Sequence, residues 1–155
     1  MSGSDPLHLD QQLCFALYAA SRAVTRAYAP LLEPLGVTYP QYIVLLVLWE
    51  EDGPSVKQLG ERLSLDSATL TPLLKRLEQQ GIVSRSRDAD DERVVRIHLT
   101  DAGRALRSKA RKVPGALACR AGCDPGDAAA LARIAKLRAE LVELTRTLNQ
   151  ESPAA

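Results

Sequence analysis

Apolar residues return every three or four positions near the start of the chain. Leu13, Ala16, Leu17, Ala20, Val24, Ala27 and Leu31 line one side of a long helix, which the spacing carries from Leu9 to Pro34 and Gly36 of "EPLG". A second helix follows "TYP", with Pro40 in the tolerated first turn, and its run "IVLLVLW" is apolar all round, as a helix central to a core must be. Gly53-Pro54 ends it. Ser55 and Gln58 form a capping-box pattern before a short helix with Val56, Leu59 and Leu63 on one face. After "SLD" a further helix places Leu70, Leu73, Leu74 and Leu77 at i, i+3, i+4 and i+7 and stops at Gly81. Two short helices joined by so few residues predict a helix-turn-helix.

Behind them the period changes. "IVSRSR", the polar turn "DADDE" and "RVVRIHL" predict a β-hairpin, with Val95, Ile97 and Leu99 alternating with Arg96 and His98. Helix, helix and hairpin in that order predict a winged helix-turn-helix over residues 38–100. The fold class is thus mainly α with one small β-hairpin. The remaining chain predicts two helices, Asp101 to about Leu117 and about Pro125 to Asn149. In the second, Leu131, Ile134, Leu137, Leu141, Leu144 and Leu148 form a seam that asks for a partner helix. One domain over 1–155 is expected, with 8–36 and 101–150 as dimerisation helices around the winged core.

Composition narrows the function classes. The 46% apolar fraction of 155 residues suffices for one core, and the longest apolar run falls far short of the roughly 20 residues of a membrane span. No membrane partner is expected. "MSGSDPLHLD" lacks the basic and apolar stretches of a signal peptide, which points to a reducing cytoplasm and free thiols. Three cysteines and two histidines, with only one close pair in "CRAGC", do not make a zinc site, and no metal or cofactor is expected. The net charge of +1 is unevenly spread: residues 54–112 carry thirteen basic and eight acidic side chains, while the two ends together are net acidic. A basic middle is the footprint of a polyanion-binding surface.

The order of elements, with "SVKQLGERLSLDSATLTPLLKRLEQQGIVSRSRDADDERVVRIHLTDAGRAL", resembles the MarR family of dimeric winged-helix repressors over nearly the whole chain. "LDSATLTPLLKRLE", with Cys14 near the start of the first helix and Tyr28 and Tyr39 following it by 14 and 25 residues, is similar to the OhrR-type branch that senses organic hydroperoxides. The resemblance implies a homodimer that represses transcription at an inverted-repeat operator on double-stranded DNA and releases it when a hydroperoxide oxidises Cys14.

Fourteen residues along one helix is roughly 21 Å, so Cys14 and Tyr28 of one chain cannot touch. The resemblance implies that Tyr28 and Tyr39 of a second copy reach Cys14, where two phenolic donors favour thiolate over thiol. Phe15, Leu17 and Tyr18 would wall an apolar pocket suited to an alkyl or lipid peroxide. The bland alternative makes Cys14 a small hydrophobe and the tyrosines ordinary interface area. In two-cysteine relatives a second thiol condenses with the sulfenic acid. The resemblance assigns that step to Cys119, between the last two helices, with Cys123 as the alternative and a bridge between subunits favoured.

For DNA, the helix from Ser67 presents Ser67, Ala68, Thr69, Thr71, Pro72, Lys75, Arg76 and Gln79 away from its leucines, and their small groups permit close approach to a major groove. Pro72 obstructs a regular helix, but "TLTP" matches the family and favours one helix through it, with a distortion there. Arg93, braced by Asp91, suits a minor groove, whereas Arg85, Arg87 and Lys75 suit phosphates. Two other functions fit parts of the pattern: a MarR-type repressor released by a small aromatic ligand, and a thiol peroxidase. The second leaves the basic helix-turn-helix unexplained, and no enzyme activity is expected.

Overall fold

A computed structural model describes residues 5–124 and 126–150. Seven α-helices and one hairpin follow in the order α1 (Leu13–Leu32), α2 (Tyr39–Glu50), α3 (Val56–Leu63), α4 (Ser67–Gln79), β1 (Val83–Arg87), β2 (Val95–Leu99), α5 (Asp101–Ala110), α6 (Val113–Arg120) and α7 (Ala128–Gln150). The chain divides into two compact units between Val113 and Pro114.

The first unit holds the core. Its caps are chemical ones that the sequence supplies. Thr38 and Gln41 make a reciprocal capping box at α2, and Ser55 and Gln58 make the expected one at α3. The Asp66 carboxylate accepts from the Thr69 amide at 2.7 Å, and the Thr100 hydroxyl accepts from the Gly103 amide at 3.1 Å. Leu59, Leu70, Leu74 and Leu77 from α3 and α4 are at most 1% exposed and meet Val44, Leu45 and Leu48 of α2 with Ile97 of the hairpin. Each such leucine contributes about 1.5–3 kcal/mol by leaving water. The strands pair antiparallel with Val83 opposite Leu99 and Arg87 opposite Val95. Trp49 donates its indole N–H to the Gly103 carbonyl at 3.0 Å, fixing α2 on α5. A side chain at Gly103 would place its Cβ 2.2 Å from the Ile82 carbonyl oxygen, so only glycine permits that approach.

Several boundaries differ from expectation. Residues Leu9–Gln11 form one turn of 3-10 helix, so α1 begins at Leu13 rather than Leu9; it runs through Pro30 and ends at Leu32, just before the expected stop at Pro34 and Gly36. A second 3-10 turn, Glu33–Leu35, leads to Gly36, whose φ of 69° reverses the chain into α2. The helix expected from Asp101 to about Leu117 is two helices. Pro114 has no N–H for the Ala110 carbonyl and its ring crowds that carbonyl, so α5 stops at Ala110 and α6 restarts. Pro125, where the last helix was expected to begin, lies outside the described residues. That helix starts at Ala128, where the Asp127 carboxylate accepts from the amides of Ala129 and Ala130.

The second unit has no comparable core. No residue of α7 is buried, and Leu131, Ile134, Leu137, Leu141 and Leu148 are all exposed, Leu137 by 56%. No single helix among the described residues is long and apolar enough to cross a membrane.

Candidate nucleic-acid interface and thiol site

Helix α4 forms because Asp66 caps it and Leu70, Leu74 and Leu77 bury one face, which leaves the opposite face to water. Ser67, Ala68, Thr69, Thr71, Pro72, Lys75, Arg76 and Gln79 are all exposed there. The helix runs unbroken through Pro72. The Thr69 hydrogen bonds hold the Asp66 carboxyl below its ordinary range, which keeps the cap charged.

The hairpin tip is closed by an acid. Asp88 accepts from the amides of Asp90 and Asp91 at 2.9 and 3.2 Å and is paired with the Arg96 guanidinium, which also donates to the Gly53 carbonyl at 3.0 Å. The Arg96 hydrogen bond, then the two amides, keep Asp88 below the usual carboxylate range. Arg93 stands out from this rigid tip with its side chain 91% exposed, its Nε 3.1 Å from the Asp91 carboxylate. The other two hairpin cations are engaged within the chain: Arg85 pairs with Glu78 of α4 at 3.1 Å, and Arg87 donates to the Glu92 carbonyl at 2.6 Å. An Asp whose carboxylate accepts from amides two and three residues on is a sequence-level signal of such a closure, and the "DADDE" turn carries it at Asp88.

The thiol residues divide into two groups. Cys14 lies in the first turn of α1, exposed, beside exposed Phe15 and half-buried Leu17. Tyr18 is 59% exposed and its ring and hydroxyl receive the Arg22 guanidinium, the hydroxyl accepting at 3.2 Å. Three of these four are exposed on the surface of α1, and Leu17 is half-buried. At the far end of α1, Tyr28 stacks on Tyr39 with ring centroids 4.6 Å apart, and Tyr42 approaches Tyr28 at 5.7 Å. Burial, then the neighbouring Tyr39 and Tyr42, push the Tyr28 phenol up to about 12, so it stays a hydrogen-bond donor throughout the neutral range. Among the described residues, neither the Tyr28 nor the Tyr39 hydroxyl takes part in a side-chain hydrogen bond. The pair is thus assembled in one chain while Cys14 sits a helix length away.

In the second unit Cys119 is exposed and lies on α6 itself, not in a connection between helices as expected. Cys123 is half-buried in the turn that closes α6. Gly122 at φ 70° directs the Cys123 amide back to the Ala118 carbonyl at 2.9 Å. Cys123 also lines an open groove of about 490 Å³ with Arg133, Ile134, Lys136 and Leu137 of α7. No group of three or more His, Cys, Asp or Glu suited to a metal occurs among the described residues.

Comparison with known proteins places this architecture. Residues 26–110 match the family model described as transcriptional regulator SarA/Rot. The chain is 46% identical to the organic hydroperoxide resistance transcriptional regulator of Bacillus subtilis over 96% of its own length and 97% of that protein's. It is 53% identical to the HTH-type transcriptional regulator TtmR of Methylorubrum extorquens, covering 97% of this chain and 77% of the relative. AbfR of Staphylococcus epidermidis has been solved reduced and bound to DNA, at 39% identity and TM-score 0.71 over 92% of both chains. It has also been solved with a disulfide formed, at 38% identity and TM-score 0.61 over 92% of this chain and 93% of that one. These relatives are regulators rather than enzymes. With a capped helix-turn-helix, a β-hairpin wing and a leucine-lined C-terminal helix, the chain belongs to the SarA/Rot and MarR family of winged-helix transcriptional regulators.

Proposed function

We propose that this regulator is a cytoplasmic homodimeric repressor that occupies an inverted-repeat operator when reduced and leaves it when an organic hydroperoxide oxidises Cys14. One observation carries the reading. Tyr28 and Tyr39 are stacked at one end of α1, their hydroxyls unengaged by other side chains among the described residues, and the exposed Cys14 is at the other end. Antiparallel pairing of two α1 helices sets each cysteine against the other copy's tyrosines, so two incomplete half-sites become two complete ones. The same pairing covers Phe15 and Leu17, and leaves Tyr18 at the pocket edge.

The chemistry is a two-electron oxidation of sulfur. The Cys14 thiolate attacks the outer oxygen of ROOH, the O–O bond breaks, and the alkoxide leaves as ROH after taking a proton. Cys14 is then a sulfenic acid. The Cys119 thiol attacks it, forming an S–S bond and releasing water, with Cys123 as the alternative partner. Similarity to a regulator named for organic hydroperoxide resistance, and to one solved with a disulfide formed, supports this order. On the DNA side, Ser67, Thr69, Thr71, Pro72 and Arg76 face the major groove, and Arg93 on Asp91 enters the minor groove. Lys75, with Arg85 and Arg87 once released from their internal partners, meets phosphates.

A gel-shift on DNA from upstream of the chain's own gene, with and without cumene hydroperoxide, tests the reading. The wild type loses the shifted band on oxidation and regains it with a thiol reductant, whereas Cys14→Ser binds and ignores the oxidant. On a non-reducing gel Cys119→Ser removes the band of twice the monomer mass and Cys123→Ser keeps it. Release of Cys14→Ser by the hydroperoxide would place the sensor elsewhere, and the reverse cysteine pattern would assign the second step to Cys123.

A further inference from the structure

We infer that Gln41 and Gln80 are positioning residues that mechanically couple the Tyr39 turn to the C-terminal end of the DNA-reading helix α4. The inference deepens the proposed function, since it rests on Tyr39 belonging to the thiol site. Gln41 is 3% exposed, which is rare for a glutamine, and both its side-chain oxygen and its side-chain nitrogen have a hydrogen-bond partner. Its side-chain oxygen accepts from the Thr38 amide at 2.8 Å and its own amide donates to the Thr38 hydroxyl, so its position is set by the turn that carries Tyr39 as the first residue of α2. Its NH2 group donates to the Gln80 side-chain oxygen at 3.3 Å, 39 residues away in the chain. Gln80 caps the C-terminus of α4, and its NH2 group returns to the Gly36 carbonyl at 3.0 Å, on the other side of the same turn.

The result is a closed ring of hydrogen bonds through Gly36, Thr38, Gln41 and Gln80. It joins the turn between α1 and α2 to the last turn of α4 without passing through the leucine core. Apolar packing tolerates sliding, but a buried amide that loses its partner has no water to replace it, so the ring transmits displacement in both directions. When an oxidised sulfur no longer accepts from the Tyr39 hydroxyl and the Tyr39 turn shifts, Gln41 moves with its cap and draws Gln80 and the end of α4 along. A capping box alone needs only Thr38 and Gln41; the second bond of Gln41, to an otherwise solvent-facing helix end, is what a coupling element requires.

Gln80 is exposed, so its variants leave the buried half of the ring and its cap in place. In the full-length protein, Gln80→Met removes both hydrogen bonds, whereas Gln80→Glu keeps an acceptor for the Gln41 NH2 group. Three quantities are measured: the rate of Cys14 oxidation by cumene hydroperoxide, and operator affinity before and after oxidation. Gln80→Met should oxidise at the wild-type rate, bind DNA within about threefold when reduced, and lose about tenfold of the difference between reduced and oxidised affinities. Gln80→Glu should restore most of that difference. An unchanged affinity difference in Gln80→Met overturns the coupling.

A second measurement does not depend on redox chemistry and separates this inference from the proposed function. In reduced protein, Tyr39→Ala should speed amide hydrogen exchange at residues 78–82 by about tenfold relative to 70–74, and that differential should vanish in the Gln80→Met background. A differential of the same size with and without Gln80 overturns the coupling, even if the hydroperoxide response is intact. Conversely, a wild type that never responds to hydroperoxide, together with a Tyr39→Ala differential that depends on Gln80, sinks the sensing function and leaves the coupling standing.

Discussion

Helices α4 and α7 carry the same kind of leucine stripe and meet opposite fates. The leucines of α4 at positions 70, 74 and 77 are at most 1% exposed, packed by α2, α3 and the hairpin, while Leu137 and Leu148 of α7 are each 56% exposed. Leucines recur at helical spacing in both, so the spacing identifies an apolar face without saying what buries it. The winged core completes itself within one chain. The C-terminal helix does not, and the proposed homodimer is what would complete it, just as a second copy would bring Tyr28 and Tyr39 to Cys14.

The largest effect should come from charging the incomplete stripe. Leu137→Asp with Leu141→Asp removes two apolar anchors worth about 1.5–3 kcal/mol each and would bury two carboxylates. Sedimentation should show dimer affinity weakened by ~10³-fold or more, with operator binding lost and the winged core still unfolding cooperatively in urea. A dimer of unchanged affinity would break the comparison, because the α7 stripe would then need another explanation.

The complementary substitution lies in the self-sufficient stripe. Leu74→Ala leaves a cavity among packed neighbours and should cost about 2–5 kcal/mol in urea denaturation, with no change in the native association constant. If it weakened the dimer as much as the α7 variant does, the two stripes would not be independent.

A smaller effect concerns the aromatic cluster of Tyr28, Tyr39 and Tyr42, which lies within the completed unit. The Tyr28 phenol is raised to about 12 from 10.0, chiefly by burial. Between those values the folded chain keeps a proton that the unfolded chain has lost. The stabilisation is therefore fully present below pH 10 and is lost as pH rises through 12. Urea midpoints measured from pH 9 to 11 should fall less steeply in Tyr28→Phe than in the wild type; parallel curves would show that Tyr28 is as solvated as a tyrosine in the unfolded chain.

The sequence by itself determined the helix-turn-helix, the hairpin and its alternation, and the face that each amphipathic helix hides. Those follow from local period, from caps such as Ser55 with Gln58, and from stops such as Gly81. It also placed the polar face of α4 and the prominence of Arg93 opposite their apolar neighbours. What it could not decide were contacts between residues distant in the chain. The sequence predicts one helix from Asp101 to about Leu117, whereas the structure breaks it after Ala110, four residues before Pro114. The Thr38–Gln41 capping box was written in the chain, yet the bond from Gln41 to Gln80 exists only because α2 and α4 pack together. Stacking of Tyr28 on Tyr39 and engagement of Arg85 by Glu78 have the same origin. Periodicity is a property of one helix, whereas a partner is a property of two, and only the tertiary structure brings two together.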